Sequence, residues 1–311
     1  YSHRNGAAVY LKQAAQVRRR KMMDFKNARE LLDLCSENHC PISTIMRERE
    51  CDQGETTSEE ADGRMRRVLE IMRSSATEPI EKPGKSMGGL IGGEARKLAV
   101  RREHGQAVCG TVMSRAITHA MAVLEVNSSM GLIVAAPTAG SSGIVPGLLL
   151  ALQEEYGLTD ERLIDALYNA GAVGYLAMRN ATVAGAVGGC QAEVGIASAM
   201  AASAAVELME GTPEQCLYAA STFLMNMLGL VCDPVGGLVE YPCQNRNASG
   251  VANALIAAEI SLSGIRQLIP FDEMLATMYS VGKKLPSELR ETALGGCAST
   301  PSACQLCHLS S

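Results

Sequence analysis

Three cysteines in this 311-residue chain stand in surroundings that suit a reactive thiol. Cys190 lies in Gly-Gly-Cys-Gln-Ala-Glu (188–193), Cys232 in Gly-Leu-Val-Cys-Asp-Pro-Val (229–235) and Cys243 in Glu-Tyr-Pro-Cys-Gln-Asn-Arg-Asn (240–247). Each sits at a glycine- or proline-marked junction, where the backbone can turn a thiolate toward a shared point and offer N–H groups to sulfur. No CxxC pair occurs among them, which is unlike a structural zinc site. Cysteines also serve as small buried hydrophobes, and spacing alone leaves both readings open. The CxxC of the chain, Cys304-Gln-Leu-Cys307, lies near its end.

A second constellation is Thr138-Ala-Gly-Ser-Ser-Gly143, placed just before a predicted helix from about Ile144. Helix N-termini present unpaired N–H donors and a positive dipole end, and hydroxyls add donors. Such a loop can hold a carboxylate or a phosphate; it can equally be a turn capped by Ser142. Gln191, Glu193, Arg246, Asn247 and Asn253 are embedded among Ala, Gly and Ser. Polar groups in such surroundings must be hydrogen-bonded or bear a desolvation cost, so they belong to networks or to a site. His119 falls in a predicted helix and reads as a satisfied histidine; His39 and His104 carry no motif. No residue is marked as a general base.

Helices must position these residues. Residues 24–36 read as one, with Phe25, Ala28, Leu31, Leu32 and Cys35 on one face. Another spans 58–74, where Thr57 and Glu60 form a capping-box pattern. Further helices are expected near 106–126, 144–156, 160–178, 190–210, 213–228, 247–264 and 271–283. Thr212, Pro213 and Gln215 mark one of these starts clearly. Met130 to Ala136 reads as a short strand or a buried apolar lead-in. Period-2 alternation is otherwise nearly absent, so the fold class is mainly α: a compact helical catalytic domain of Gly/Ala-rich, closely packed helices with Gly/Ser/Pro-rich site loops. The expected organisation is a basic extension (1–22), an N-terminal helical segment (23–74), a Gly/Pro linker (75–93), the catalytic region (94–301) and a tail (302–311).

Composition narrows the function. Hydrophobic residues make up 47%, enough for a sizeable core, while aromatics are 4% with no Trp. The net charge of −5 gives no electrostatic footprint for nucleic acid. The exception is the basic stretch 1–21, with Arg4, Lys12, Arg18, Arg19, Arg20 and Lys21 and no acid. It reads either as a basic arm or as sequence upstream of a start at Met22 or Met23, and the second is preferred here. Eleven cysteines, an odd number, and no apolar leader point to free thiols in the cytoplasm. Residues 126–153 carry no charge, but Pro137, Pro146 and the Gly/Ser cluster break them as a membrane span.

Four segments carry a family resemblance: 136–147 (Ala-Pro-Thr-Ala-Gly-Ser-Ser-Gly-Ile-Val-Pro-Gly), 188–195 (Gly-Gly-Cys-Gln-Ala-Glu-Val-Gly), 228–235 (Leu-Gly-Leu-Val-Cys-Asp-Pro-Val) and 286–296 (Pro-Ser-Glu-Leu-Arg-Glu-Thr-Ala-Leu-Gly-Gly). Together they resemble the signatures of bacterial iron–sulfur L-serine dehydratases, alpha chain, over roughly residues 23–301. Ser86 to Leu98 resembles another segment of that family. The resemblance implies a [4Fe–4S] cluster held by Cys190, Cys232 and Cys243, with one iron open as a Lewis acid for the serine hydroxyl. Loss of water would give an enamine that tautomerises and hydrolyses to pyruvate and ammonia. Thr138, Ser141 and Ser142 are then candidates for the substrate carboxylate. Arg246 and Asn247 would support cluster or substrate, and Glu193 the ammonium group or a ligand. Single-chain members end in a cysteine that reaches the open iron, whereas this sequence ends in Ser310-Ser311, leaving Cys297, Cys304 and Cys307 without an implied role. Nothing here resembles the family's beta part, so a separate beta chain is an expected partner, with L-serine as substrate.

Two other readings compete. A pyridoxal-phosphate dehydratase needs a Schiff-base lysine, and lysine is absent from 98 to 282. A cluster-binding redox sensor or scaffold without lyase activity would not require the polar loop 138–143.

Overall fold

The computed structural model describes residues 23–309, with side chains to residue 306; the basic stretch 1–22 and the side chain of Cys307 lie outside what is described. Thirteen α-helices, joined by loops and short 3-10 turns, build the described chain, and none of its segments forms a strand. The chain is mainly α, as its periodicity predicts. Among the described residues no helix is long and apolar enough to cross a membrane.

An N-terminal layer comprises α1 (Ala28–Asn38), α2 (Ile42–Gln53) and α3 (Ser58–Glu81). After a glycine-rich loop come α4 (Glu94–Glu103), α5 (Gly110–Ser128), α6 (Ile144–Tyr156), α7 (Asp160–Asn180) and the single turn α8 (Gly185–Gly188). The second half holds α9 (Cys190–Leu208), α10 (Pro213–Asn226), α11 (Cys243–Leu262), α12 (Phe271–Lys284) and α13 (Pro301–Leu309). The capping boxes at Thr57/Glu60 and Thr212/Gln215 both form.

The core is centred on α9. Every residue of it is buried except Glu193 and Glu207, and it packs against α6, α7, α10 and α11. A helix that is apolar all round must lie inside, and α9 can do so because its surface is mostly alanine. The same economy of size governs the neighbours. A Cβ added at Gly147 of α6 would stand 2.9 Å from the Ala116 carbonyl oxygen of α5, and one at Gly250 of α11 would stand 2.7 Å from Ser198 Oγ of α9. Helix backbones therefore approach closely, which lets a core poor in aromatic rings close around small side chains.

Several boundaries differ from the sequence reading. The helix expected to stop near 74 continues to Glu81 through the buried Pro79, so the loop proper begins at 82. Helix α2 was not anticipated, since its sequence is largely polar after Met46 and Pro41 supplies no side-chain cap. Helix α11 begins at Cys243, four residues before its expected start. Met130 to Ala136 is irregular, with Met130 and Leu132 in solvent. His119 is a satisfied core histidine, placed between the Ala76 carbonyl (3.1 Å) and the Glu154 carboxylate (2.9 Å).

Candidate active site

Two of the three singled-out cysteines open helices. Cys190 is the first residue of α9 and Cys243 the first of α11. The turn into α9 requires Gly189, whose φ is +74° and whose Cβ position would fall 2.7 Å from the Leu230 carbonyl oxygen. The Gln191 N–H donates to that same carbonyl (3.0 Å), so the start of α9 is tied to the loop that carries Cys232. Cys232 is fixed from the other side by residues 289–291. Its N–H donates to the Leu289 carbonyl (2.9 Å), and its own carbonyl accepts from the Glu291 N–H (2.7 Å).

These ties bring side chains together. Ligating atoms of Cys190, Glu193 and Cys232 lie within 4.8 Å of one another, the group of three able to hold a metal ion among the described residues. Cys232 Sγ is 3.9 Å from Glu193 Oε2. Arg246 reaches across with Nη1 at 3.6 Å from Cys190 Sγ, 3.0 Å from the Val231 carbonyl and 2.7 Å from Asp233 Oδ1. Asp233 in turn accepts from the Cys297 N–H at 2.6 Å. Cys243 stands outside the tight group, within electrostatic reach of Cys190.

The electrostatics follow from crowding sulfur and carboxylate in a buried space. The Cys232 thiol is pushed up by its hydrogen bond with Cys190 and by burial. Burial, reinforced by Cys190, pushes Cys243 up to about 12. Burial also raises Glu193, with Glu291 adding to it and hydrogen bonds to Thr138 and Cys232 opposing. For Arg246 burial works against the charge, but Cys190 and Asp233 outweigh it and the guanidinium is held more firmly protonated. The Cys232 and Cys243 thiols are thus harder to ionise, and a bound cation would have to displace their protons. Soft sulfur donors at two positive helix ends, with a guanidinium beside one sulfur, fit an anionic iron–sulfur group.

The loop 138–143 abuts this pocket. A Cβ at Gly140 would lie 3.7 Å from Glu193 Oε2 and 3.5 Å from Val239 Cγ1. Asn247, fully buried, clamps the loop to α11: its Nδ2 donates to the Gly140 carbonyl (2.8 Å) and the Cys243 carbonyl (2.9 Å), and its Oδ1 accepts from the Gly143 N–H (3.1 Å). Ser142 does not cap α6; it is buried and its hydroxyl donates to the Ala139 carbonyl (2.7 Å). Ser141 is buried beside Thr138, with hydroxyl oxygens 3.0 Å apart, and Thr138 is the partly exposed member. Gln191 and Asn253 serve structure. Gln191 links the Met278 carbonyl to the Gly229 N–H, and Asn253 donates to the Ser249 carbonyl. The sequence reading did not single out Asp233 or Glu240, although each is an acid within three residues of a site cysteine.

With this geometry in place, relatives can be considered. The family described as serine dehydratase alpha chain matches residues 37–298, a span that contains all three cysteines and the loop 138–143. The chain belongs to the serine dehydratase alpha chain family. A probable L-serine dehydratase alpha chain from Bacillus subtilis is 46% identical over 282 residues, covering 91% of this chain and 94% of the relative. An L-serine dehydratase alpha chain from Peptoniphilus asaccharolyticus is 44% identical over 271 residues, 87% of this chain and 93% of the relative. An L-serine dehydratase from Helicobacter pylori is 34% identical over 287 residues, which is 89% of this chain but 62% of that longer protein.

The raised thiols make a pH prediction. A raised pKa means less thiolate at a given pH, so iodoacetamide should modify Cys232 and Cys243 of metal-free protein with a rate that still climbs above pH 9. Mass spectrometry of the modified peptides checks this, and rates for Cys232 and Cys243 that level off below pH 9 would contradict it.

Proposed function

We propose that this chain is the catalytic alpha part of an oxygen-sensitive iron–sulfur L-serine dehydratase, a cytoplasmic lyase that forms pyruvate and ammonia. The observation that carries the proposal is the pocket in which Cys190, Cys232 and Glu193 converge at the start of α9, in a chain whose relatives are named for this activity. Cys190, Cys232 and Cys243 would hold a [4Fe–4S] cluster, which when bound supplies a Lewis acid for the departing serine hydroxyl.

The chain's own residues then bind and orient. Thr138 and Ser141 present hydroxyls ahead of α6, where the loop's backbone donors favour the substrate carboxylate. Ser142 shapes that loop from within. Glu193 lies between the loop and Cys232, in place to accept hydrogen bonds from the ammonium group. Arg246 donates to Cys190 and is charge-balanced by Asp233, so its role is to hold sulfur rather than substrate. Asn247 keeps the loop and Cys243 in register. Contact between the loop and Glu193 favours catalysis over redox sensing, since a sensor has no use for a polar loop against its ligands.

A separate beta chain is the proposed partner, with a docking face beside the site. Met87, Met130 and Leu132 are 74%, 79% and 65% exposed. They are linked through the Met87 N–H to the Ser128 carbonyl (2.9 Å) and Ser129 Oγ to the Lys85 carbonyl (3.2 Å). Ordered backbone that holds large apolar side chains in water suits a surface awaiting cover. The ten described cysteines are free, in keeping with a reducing compartment.

Anaerobically purified protein is expected to be brown with close to four irons per chain, and air should bleach it and end pyruvate formation from L-serine. Cys190→Ser, Cys232→Ser and Cys243→Ser should each lose iron, whereas Cys51→Ser and Cys109→Ser should keep it. Turnover by a colourless, iron-free protein would refute the proposal. Replacing Thr138 or Ser141 by Ala should leave the visible spectrum intact. Affinity for serine should fall by about ten- to a hundred-fold, the loss expected for one hydrogen bond to a charged group. Unchanged serine kinetics in both variants would assign the loop to structure. Co-expression with a beta chain should yield a co-purifying, active complex that Met87→Asp weakens; full activity of the alpha chain alone would exclude the partner requirement.

A further inference from the structure

The glycine-rich loop 83–93 has no place yet in the chemistry, and its anchoring points to one. Glu240, 2% exposed, lies three residues before Cys243. Its carboxylate accepts from three donors on that loop: Ser86 Oγ at 2.6 Å, the Gly88 N–H at 2.7 Å and the Leu90 N–H at 3.0 Å. Ser86 Oγ in turn accepts from the Ile91 N–H at 3.3 Å. The seat is tight, since a Cβ at Gly88 would fall 2.3 Å from Leu238 Cδ1 and 2.9 Å from Glu240 Oε1. Through its main chain the same residue acts on α11, where the Glu240 carbonyl accepts from the Gln244 N–H at 3.0 Å, one residue past Cys243.

The other flank of Cys243 is held in a matching way. Gln244, also 2% exposed, donates from Nε2 to the Met121 carbonyl (3.2 Å) and to Glu125 Oε1 (3.3 Å). Glu125 Oε1 also accepts from the Ala95 N–H (2.9 Å), in the first turn of α4 just beyond the loop. One continuous segment, from Ser86 to Ala95, is thus pinned by buried carboxylates to residues on both sides of Cys243.

We infer that Glu240 is a positioning residue that fixes the Cys243 thiol within electrostatic reach of Cys190, using the loop 86–91 as its brace. A carboxylate is required because three donors converge on it; an amide would turn an NH2 group toward at least one N–H or O–H. The inference rests on the proposed function only for the meaning of Cys243 as a ligand, because the positioning itself is a property of the metal-free chain.

The test compares cysteine accessibility in metal-free Glu240→Gln and parent protein, by alkylation with iodoacetamide and peptide mass spectrometry. Cys243, 8% exposed in the parent, should react at least about tenfold faster in the variant, while buried Cys35 and Cys216 keep the parent rate. A tenfold change is the scale expected for losing one buried hydrogen bond to a charged group. After anaerobic reconstitution, the variant should also release iron to a chelator faster than the parent. Unchanged Cys243 reactivity would overturn the inference. If all three thiols open together the Glu240 variant is unfolding globally, and Ser86→Ala, which removes one donor and leaves the carboxylate in place, decides the matter. Selective opening of Cys243 in Ser86→Ala supports positioning, and uniform or absent opening overturns it. If Cys243 opens selectively but no variant or parent binds iron, the proposed cofactor fails and the positioning role stands.

Discussion

Arg246 and Asp233 form the ion pair through which the site is assembled, with side chains 15% and 3% exposed. The pair is not placed there for stability alone, since burying two charges offsets much of their attraction. Its value lies in reach. One guanidinium touches the Cys190 sulfur, the carbonyl before Cys232 and the carboxylate after it. That carboxylate goes on to the backbone of Cys297. Three loops distant in sequence are thereby set by one planar group whose geometry is fixed. Leaving either charge unpaired in this environment would cost about 3–5 kcal/mol, a large part of the stability of an ordinary domain.

Around that pair the helices act as a rigid frame. The alanine surface of α9 allows α6, α7, α10 and α11 to close on it, and the approach of their backbones fixes where Cys190 and Cys243 begin their helices. Both cysteines occupy first turns, where unpaired N–H groups and the helix dipole favour negative charge. Packing of small residues and electrostatics of the pocket are therefore linked. Had the helices stood farther apart, the start of α11 would not lie within electrostatic reach of the Cys190 sulfur at the start of α9.

Much of this was legible in the sequence. The helical class followed from periodicity, and the starts at Thr57 and Thr212 followed from capping chemistry, because both are local. Cys190 and Cys232 stand out by the glycine and proline around them and Glu193 as a polar residue among small apolar ones, and these three converge. The reading fell short where a long-range contact decides. Helix α2 has little apolar periodicity of its own and is held by packing on α7. The linker expected over 75–93 put Pro79 outside any helix, yet the helix runs through it. Asp233 and Glu240 looked like ordinary loop acids, since nothing local shows that their partners are Arg246 and the loop 86–90. Ser142 looked like a helix cap, and only the folded loop shows its hydroxyl turned to Ala139.

The backbone pairing of Cys232 with residues 289–291 has a consequence for biosynthesis. A chain leaves the ribosome N-terminus first, and its domains begin to fold as they emerge. Helices α1 to α10 can pack while the rest is still being made. The Cys232 loop is completed later, because three of the groups that hold it, the Leu289 carbonyl, the Glu291 N–H and the Cys297 N–H to Asp233, lie more than fifty residues further along. The Cys232 thiol is therefore fixed only after residues 289–297 have been made, so a metal held by this pocket would be taken up once the helices around it have formed.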